Sequence, residues 1–136
     1  MNAIDLHLMN PDGSLTVLEV SPTSTPPWAL TVNGGDFHER RFVGDDLFGA
    51  LLALRRDLEQ RGRKLLCAGA RRDVYPSGMS RSMGSARQAY LIKLGEPATV
   101  LVDIFDRADA SDVGTIDEQS AYKARWAASL REKLGK

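Results

Sequence analysis

DDLFGALLALRRDLEQRG, residues 45–62, reads as one amphipathic helix set between segments of a different kind. Leu47, Leu51, Leu54 and Leu58 recur at helical spacing and Phe48 widens their stripe, so one face of this helix is built to be buried. Asp45 is placed to cap the free amides of its first turn, and Gly62 is a natural stop. Arg55, Arg56, Asp57, Glu59 and Arg61 fall largely on the outward side, where charge costs nothing in desolvation.

Upstream the period changes from helical to alternating. Ile4, Leu6 and Leu8 alternate with polar residues, the turn sequence Asn10-Pro11-Asp12-Gly13 follows, and Leu15, Val17 and Leu18 return, which predicts a hairpin. Ser21 to Pro27 (SPTSTPP) lacks a full set of amide donors and is expected to be an extended surface connection rather than strand. Trp28, Leu30 and Val32 alternate before Asn33-Gly34-Gly35, which accepts the left-handed dihedrals of a tight turn, and Phe37 to Val43 returns as a fourth strand. Downstream, Lys64 to Ala68 reads as a short strand, and Gln88 to Leu94 and Thr99 to Phe105 as two more joined across Gly95-Glu96-Pro97. A last helix opens on the capping box of Thr115 and Glu118, carries Tyr122, Trp126, Leu130 and Leu134 at intervals of four, and ends at Gly135. The expectation is an α+β fold over residues 1–136 as one domain: one mostly antiparallel sheet of about six to seven strands with two helices packed on it.

Length and composition bound the function. A chain of 136 residues is the size of one ordinary domain, and 43% hydrophobic with 26% charged residues is a globular balance. The 18 basic and 18 acidic side chains cancel, which removes a global electrostatic attraction to nucleic acid or to an anionic membrane. No apolar run approaches the roughly 20 residues of a membrane span, and the first ten residues lack the pattern of a signal peptide, so the expected location is the cytoplasm. The single cysteine, Cys67, sits among Leu65, Leu66 and Ala68 and reads as a buried structural thiol.

Between the apolar runs lies GARRDVYPSGMSRSMGSAR, residues 69–87, with neither helical nor strand periodicity. Long ordered loops in compact domains usually carry function. Arg71, Arg72, Arg81 and Arg87 against Asp73 give this loop a formal charge of +3, with Tyr75, Met79 and Met83 as apolar or stacking surface. That mixture suits recognition better than catalysis. The chain offers two histidines, His7 in the first strand and His38 in the fourth, and both read as solvated or hydrogen-bonded side chains, so no catalytic residue is assigned. With one cysteine and no close ligand pairs there is no zinc signature, and Gly69, Gly78 and Gly84 fit no dinucleotide or phosphate-loop pattern, so neither metal nor cofactor is expected.

Asp103, Asp106, Asp109, Asp112, Asp117 and Glu118, offset by Arg107, leave residues 103–118 at −5. This run has three readings: a calcium site, though without the ligand order of an EF-hand; a solvated loop at a helix N-terminus; or an acidic segment folded against the basic loop, with Arg71, Arg72 or Arg81 paired to Asp103 or Asp106. In the same loop, arginine can grip phosphate and Tyr75 can stack on a base, so a nucleotide- or phosphate-binding protein or small enzyme is the alternative function class; the cancelled net charge disfavours nucleic acid.

From Leu65 to Leu94, and above all in CAGARRDVYPSGMSRSMGSARQAY, the chain resembles small bacterial cytoplasmic proteins, some encoded beside secreted polymorphic toxins, of the kind that act as immunity proteins. The resemblance spans approximately Phe48 to Asp106 and is most specific through Ala70, Arg71, Asp73, Tyr75, Pro76, Ser77, Gly78, Met79 and Arg81. It implies a protein that binds and neutralises a cognate toxin, with no cofactor and no turnover. The expected partner-binding residues are Arg71, Arg72, Asp73, Tyr75, Ser77, Met79 and Arg81.

Overall fold

The computed structural model describes residues 3–134. Gly135, expected to end the last helix, lies outside the described residues, as do the side chains of Met83 and Leu134. Four strands form an antiparallel meander: β1 (Ile4–Met9), β2 (Leu15–Pro22), β3 (Ala29–Gly34) and β4 (Phe37–Val43). The β1–β2 turn closes as its sequence demands, with Asp12 Oδ1 accepting from the Ser14 amide at 2.9 Å and Gly13 at φ +85°. At the β3–β4 turn Gly34 and Gly35 take φ values of +112° and +56°, and a Cβ on Gly34 would sit 2.8 Å from the Val17 carbonyl. β2 runs further than its sequence suggests. Ser21 and Pro22 stay in the ladder opposite Thr31 and Leu30, because proline is tolerated near a strand end. In β4, Phe37 and Phe42 are five residues apart, yet both are buried and meet edge to face at 5.7 Å. A one-residue register shift by Gly34, with Glu39 at φ +48°, returns the second ring to the same face.

Helix α1 (Leu47–Gln60) lies across this meander and buries Leu47, Phe48, Leu51, Leu54 and Leu58, each worth roughly 1.5–3 kcal/mol against exposure. Its cap is Asp46, not Asp45: Asp46 Oδ1 accepts from the Gly49 amide at 2.6 Å, three residues on, where a capping side chain must reach. Arg55 also departs from expectation. It is 3% exposed, on the side of α1 that faces the rest of the chain.

Among the described residues the single sheet of the sequence reading is two sheets, and the α-helices number three rather than two. β5 (Lys64–Leu65) adds antiparallel to β1 and completes a five-stranded sheet in the order β4-β3-β2-β1-β5. The expected strand to Ala68 stops there, because Ala68–Ala70 turns as a 3-10 helix. β6 (Val74–Tyr75), β7 (Gln88–Leu91) and β8 (Val100–Asp103) form a separate antiparallel sheet in the order β6-β7-β8. Between β6 and β7 the supposedly aperiodic loop holds α2 (Gly78–Met83), capped by Ser77, whose side chain accepts from the Ser80 amide at 3.0 Å. α3 (Ile116–Leu134) opens on the expected capping box: Thr115 Oγ1 accepts from the Glu118 amide at 3.0 Å and Glu118 Oε1 from the Thr115 amide at 2.8 Å. No described helix is long and apolar enough to cross a membrane.

One buried polar node joins the two halves. Arg55 donates to the Gly69 carbonyl (3.2 Å), the Gly114 carbonyl (3.1 Å) and Gln119 Oε1 (2.7 Å), with no carboxylate within ion-pair distance among the described residues. Gln119, 1% exposed, donates its amide to the carbonyls of Gly69, Arg71 and Val74 at 2.8–2.9 Å. Burial pulls the Arg55 pKa below its usual value, yet guanidinium basicity keeps the charge, which neutral dipoles then solvate. Beside it a cavity of about 30 Å³ lined by Arg55, Glu59 and Gly114 has room for about one water.

Gly69 sits at a tight point of this node, where an added Cβ would lie 2.5 Å from Leu51 Cδ2 and 3.0 Å from Ile104 Cβ. Gly69→Ala is therefore expected to cost about 1–3 kcal/mol by overpacking. A thermal melt indistinguishable from the parent's would show that Leu51 and Ile104 have room to shift.

Candidate functional site

The arginines of residues 69–87 turn mostly inward. Arg71 grips Asp73 with two bonds of 2.8 and 2.9 Å and approaches Asp112 at 3.6 Å, and the Asp73 bond, ahead of the other causes, raises its pKa. Arg72 donates to the carbonyls of Val113 (3.2 Å) and Ser111 (3.0 Å). Arg81 reaches back to the buried Asp46 at 2.9 Å, with its guanidinium 5.3 Å from the Phe48 ring. Burial alone would lower the Arg81 pKa, but the bond to Asp46 and its charge, helped by Tyr75, leave it raised. Arg87 pairs with Asp103 at 2.9 Å. The acidic segment thus does fold against the basic loop, but the expected partners are corrected: Asp103 takes Arg87, Asp112 neighbours Arg71, and Arg81 goes to the helix cap. The register puts Arg71 opposite Val113, and so within reach of Asp112 rather than Asp103. Among the described residues no group of three or more histidine, cysteine or acidic side chains is placed to hold a metal ion.

Cys67 is fully buried, and the desolvation of its thiolate pushes the thiol up to about 11, the charge of Arg55 offsetting only part of this. His7 is half-buried on β1 and His38 exposed on β4, far apart in the meander.

With the arginines and Asp73 engaged, the candidate residues that remain are Tyr75 and Ser77, both half-buried, and Met79, which is exposed. Tyr75 lies opposite Tyr90, and Tyr90 opposite Leu101, so the small sheet presents one cross-strand row of large side chains on a single face. α2 flanks this face on one side, where Ser80 Oγ donates to the Gln88 carbonyl at 3.4 Å. α3 flanks it on the other, where the Tyr122 hydroxyl donates to Ile92 and Trp126 Nε1 to Glu96, at 3.4 and 2.8 Å. Between the two helices runs a groove in two sections that share Ser77 and Tyr90. One, about 250 Å³, is walled by Tyr75, Tyr90, Ile92, Lys123 and Trp126; the other, about 260 Å³, by Met79, Ser80, Gln88 and Leu101.

The groove's lining is apolar and aromatic, with Lys123 its charged group, Nζ standing 5.4 Å from the centre of the Tyr75 ring. Tyr75 is fixed from beneath by Phe48 at 5.2 Å. Met79 is 73% and Leu101 54% exposed, so apolar surface continues from the groove to its rim. Such a trough can take one or two apolar or aromatic side chains, with an anionic group beside Lys123.

Of the seven residues read from the sequence, the structure brings Tyr75, Ser77 and Met79 to the groove, whereas Arg71, Arg72, Asp73 and Arg81 are held by internal partners and do not line it. Tyr90, Leu101, Lys123 and Trp126 were not foreseen. Aromatic content signals only Tyr90 and Trp126, and nothing in the sequence signals Leu101 or Lys123, since the meeting of the four depends on strand register and on the packing of α3. Trp126, read as helix core, is half-buried at the groove wall. The chain matches no protein-family model, and no curated protein matches it.

Proposed function

We propose that this chain is a non-catalytic protein-binding module, and that it acts as an immunity protein whose groove over Tyr90 receives a cognate bacterial toxin. The observation that carries the binding reading is the rimmed groove itself: Tyr75, Tyr90 and Trp126 line it and exposed Met79 and Leu101 extend it. Interface centres favour tyrosine, tryptophan and methionine and exclude most charge, which is this lining's composition. The toxin as partner rests on the resemblance carried by Ala70 to Arg81. A phosphate or nucleotide reading of the same loop draws less support, because Arg71, Arg72, Arg81 and Arg87 already hold internal acceptors.

The test is affinity capture of the tagged chain from its native lysate, followed by assay of the captured protein. A toxin-like protein bound at equal stoichiometry and losing its activity when bound supports the proposal. Tyr90→Ala and Met79→Glu are expected to weaken that binding about tenfold or more each while leaving the melting temperature within a few degrees. Unchanged affinity in both folded variants would place the interface elsewhere, and recovery of nucleotide without protein would favour the phosphate reading.

A further inference from the structure

The described sheets have four edges, and three are blunted in the ways that natural proteins suppress edge pairing. β4 carries exposed His38, Glu39, Arg40 and Arg41, while β5 and β6 are two residues long. β8 has neither protection. Its run Ala98-Thr99-Val100-Leu101-Val102 has no charge, and Val100 and Leu101 are 51% and 54% exposed on opposite faces of the strand.

The hydrogen-bond phase shows what this edge offers. The Ile104 amide donates inward to the Arg87 carbonyl at 2.9 Å, so residues 104, 102 and 100 face β7 and residues 103, 101 and 99 face away. The outward amide of Asp103 is already taken by Asp106 Oδ2 at 3.3 Å, which ends the open edge there. Leu101 and Thr99 remain directed outward.

We infer that a second copy of this chain pairs antiparallel with β8 about a twofold axis at Leu101, joining two three-stranded sheets into one of six strands. In that register the two Leu101 residues exchange N–H and C=O bonds, Val100 faces Val102 of the other copy, and each Thr99 amide meets the Asp103 carbonyl opposite. The charge pattern favours a second copy as the occupant. Self-pairing opposes Asp103 to Thr99 and sets no like charges against one another, and Asp103 keeps its bond to Arg87. It is also self-limiting, because the isologous contact consumes both long open edges. The pairing uses the backbone edge of β8 and meets the groove only at Leu101, so it does not depend on the proposed function of the section over Tyr75 and Trp126.

Sedimentation equilibrium of the full chain alone, from about 5 to 500 µM, tests the pairing. The expected result is a monomer–dimer equilibrium within that range. Leu101→Lys is expected to abolish it. Thr99→Lys gains two cross-strand pairs with Asp103 and tightens the dimer roughly two- to tenfold, whereas Thr99→Asp loosens it by a similar factor. Thr99 is exposed, so these variants report even where Leu101→Lys fails to fold. A monomer at every concentration, or both Thr99 variants moving the equilibrium in the same direction, overturns the inference.

Discussion

Gln119→Leu is expected to lower the unfolding free energy by about 3–5 kcal/mol and the melting temperature by roughly 10 °C or more. The reason is the number of groups one side chain serves. Gln119 accepts from Arg55 and donates to the carbonyls of Gly69, Arg71 and Val74, and all of these bonds but the one to Arg71 are fully buried. Only one orientation of its amide fits, since Arg55 is purely a donor and the carbonyls purely acceptors. Leucine matches its bulk but orphans the Val74 carbonyl and one guanidinium N–H, each costing about 1–3 kcal/mol when buried, and leaves the Arg71 carbonyl with only the long bond of 3.4 Å from the Val74 amide. Gly69 keeps its bond from Arg55. As total stability for a domain of this size is about 5–15 kcal/mol, the loss is a large fraction of it. Ser120→Leu, one residue further and exposed, is the matched control and is expected to change little. Equal melting curves for the two variants, read by circular dichroism, would mean that the node does not tie the halves together.

The second large effect is expected at Asp46, where Asp46→Ala should cost about 2–4 kcal/mol. Asp46 is 1% exposed and does two things at once: Oδ1 caps α1 through the Gly49 amide, and Oδ2 holds Arg81 of α2. Alanine removes the cap, typically worth about 1 kcal/mol, and strands Arg81, which is partly exposed and recovers some hydration. The consequence reaches the groove, because Arg81 is α2's tie to the end of α1 and α2 forms one groove wall. Amide hydrogen exchange across Gly78–Met83 is expected to speed up in this variant by more than the global destabilisation requires. Uniform acceleration over the whole chain would instead assign Asp46 a purely global role. Asp46→Asn, which keeps the capping oxygen, is expected to fall between parent and alanine.

These two side chains also mark where sequence reading stopped. Periodicity located the four-stranded meander, the Leu47 to Leu58 stripe, the β7–β8 hairpin and the Thr115 capping box, since each is set by residues close in the chain. The cap expected at Asp45 lies one residue on, at Asp46, because the helix starts at Leu47 and the aspartate directly before it is the one that reaches the Gly49 amide. Helical spacing puts Arg55 on the charged, outward side; it is buried because carbonyls from Gly69 and Gly114, 14 and 59 residues away, replace its water. The stretch from 69 to 87 looked aperiodic because its elements are too short for a period to repeat: two residues in β6 and six in α2. The site was half legible for the same reason. Tyr75, Ser77 and Met79 stood out within one segment, while Tyr90, Leu101, Lys123 and Trp126 join them only through the cross-strand row and the packing of α3.

Whether a protein partner occupies the proposed groove between α2 and α3 is decided by hydrogen-exchange footprinting of the chain with and without its captured partner. Slowed exchange on binding is expected at Gln88–Leu91, at Gly78–Met83 and around Lys123 and Trp126, with the β3–β4 hairpin unchanged. Protection confined to the β3–β4 hairpin or the β1–β2 turn, with these groove segments exchanging as in the free chain, would contradict that proposal.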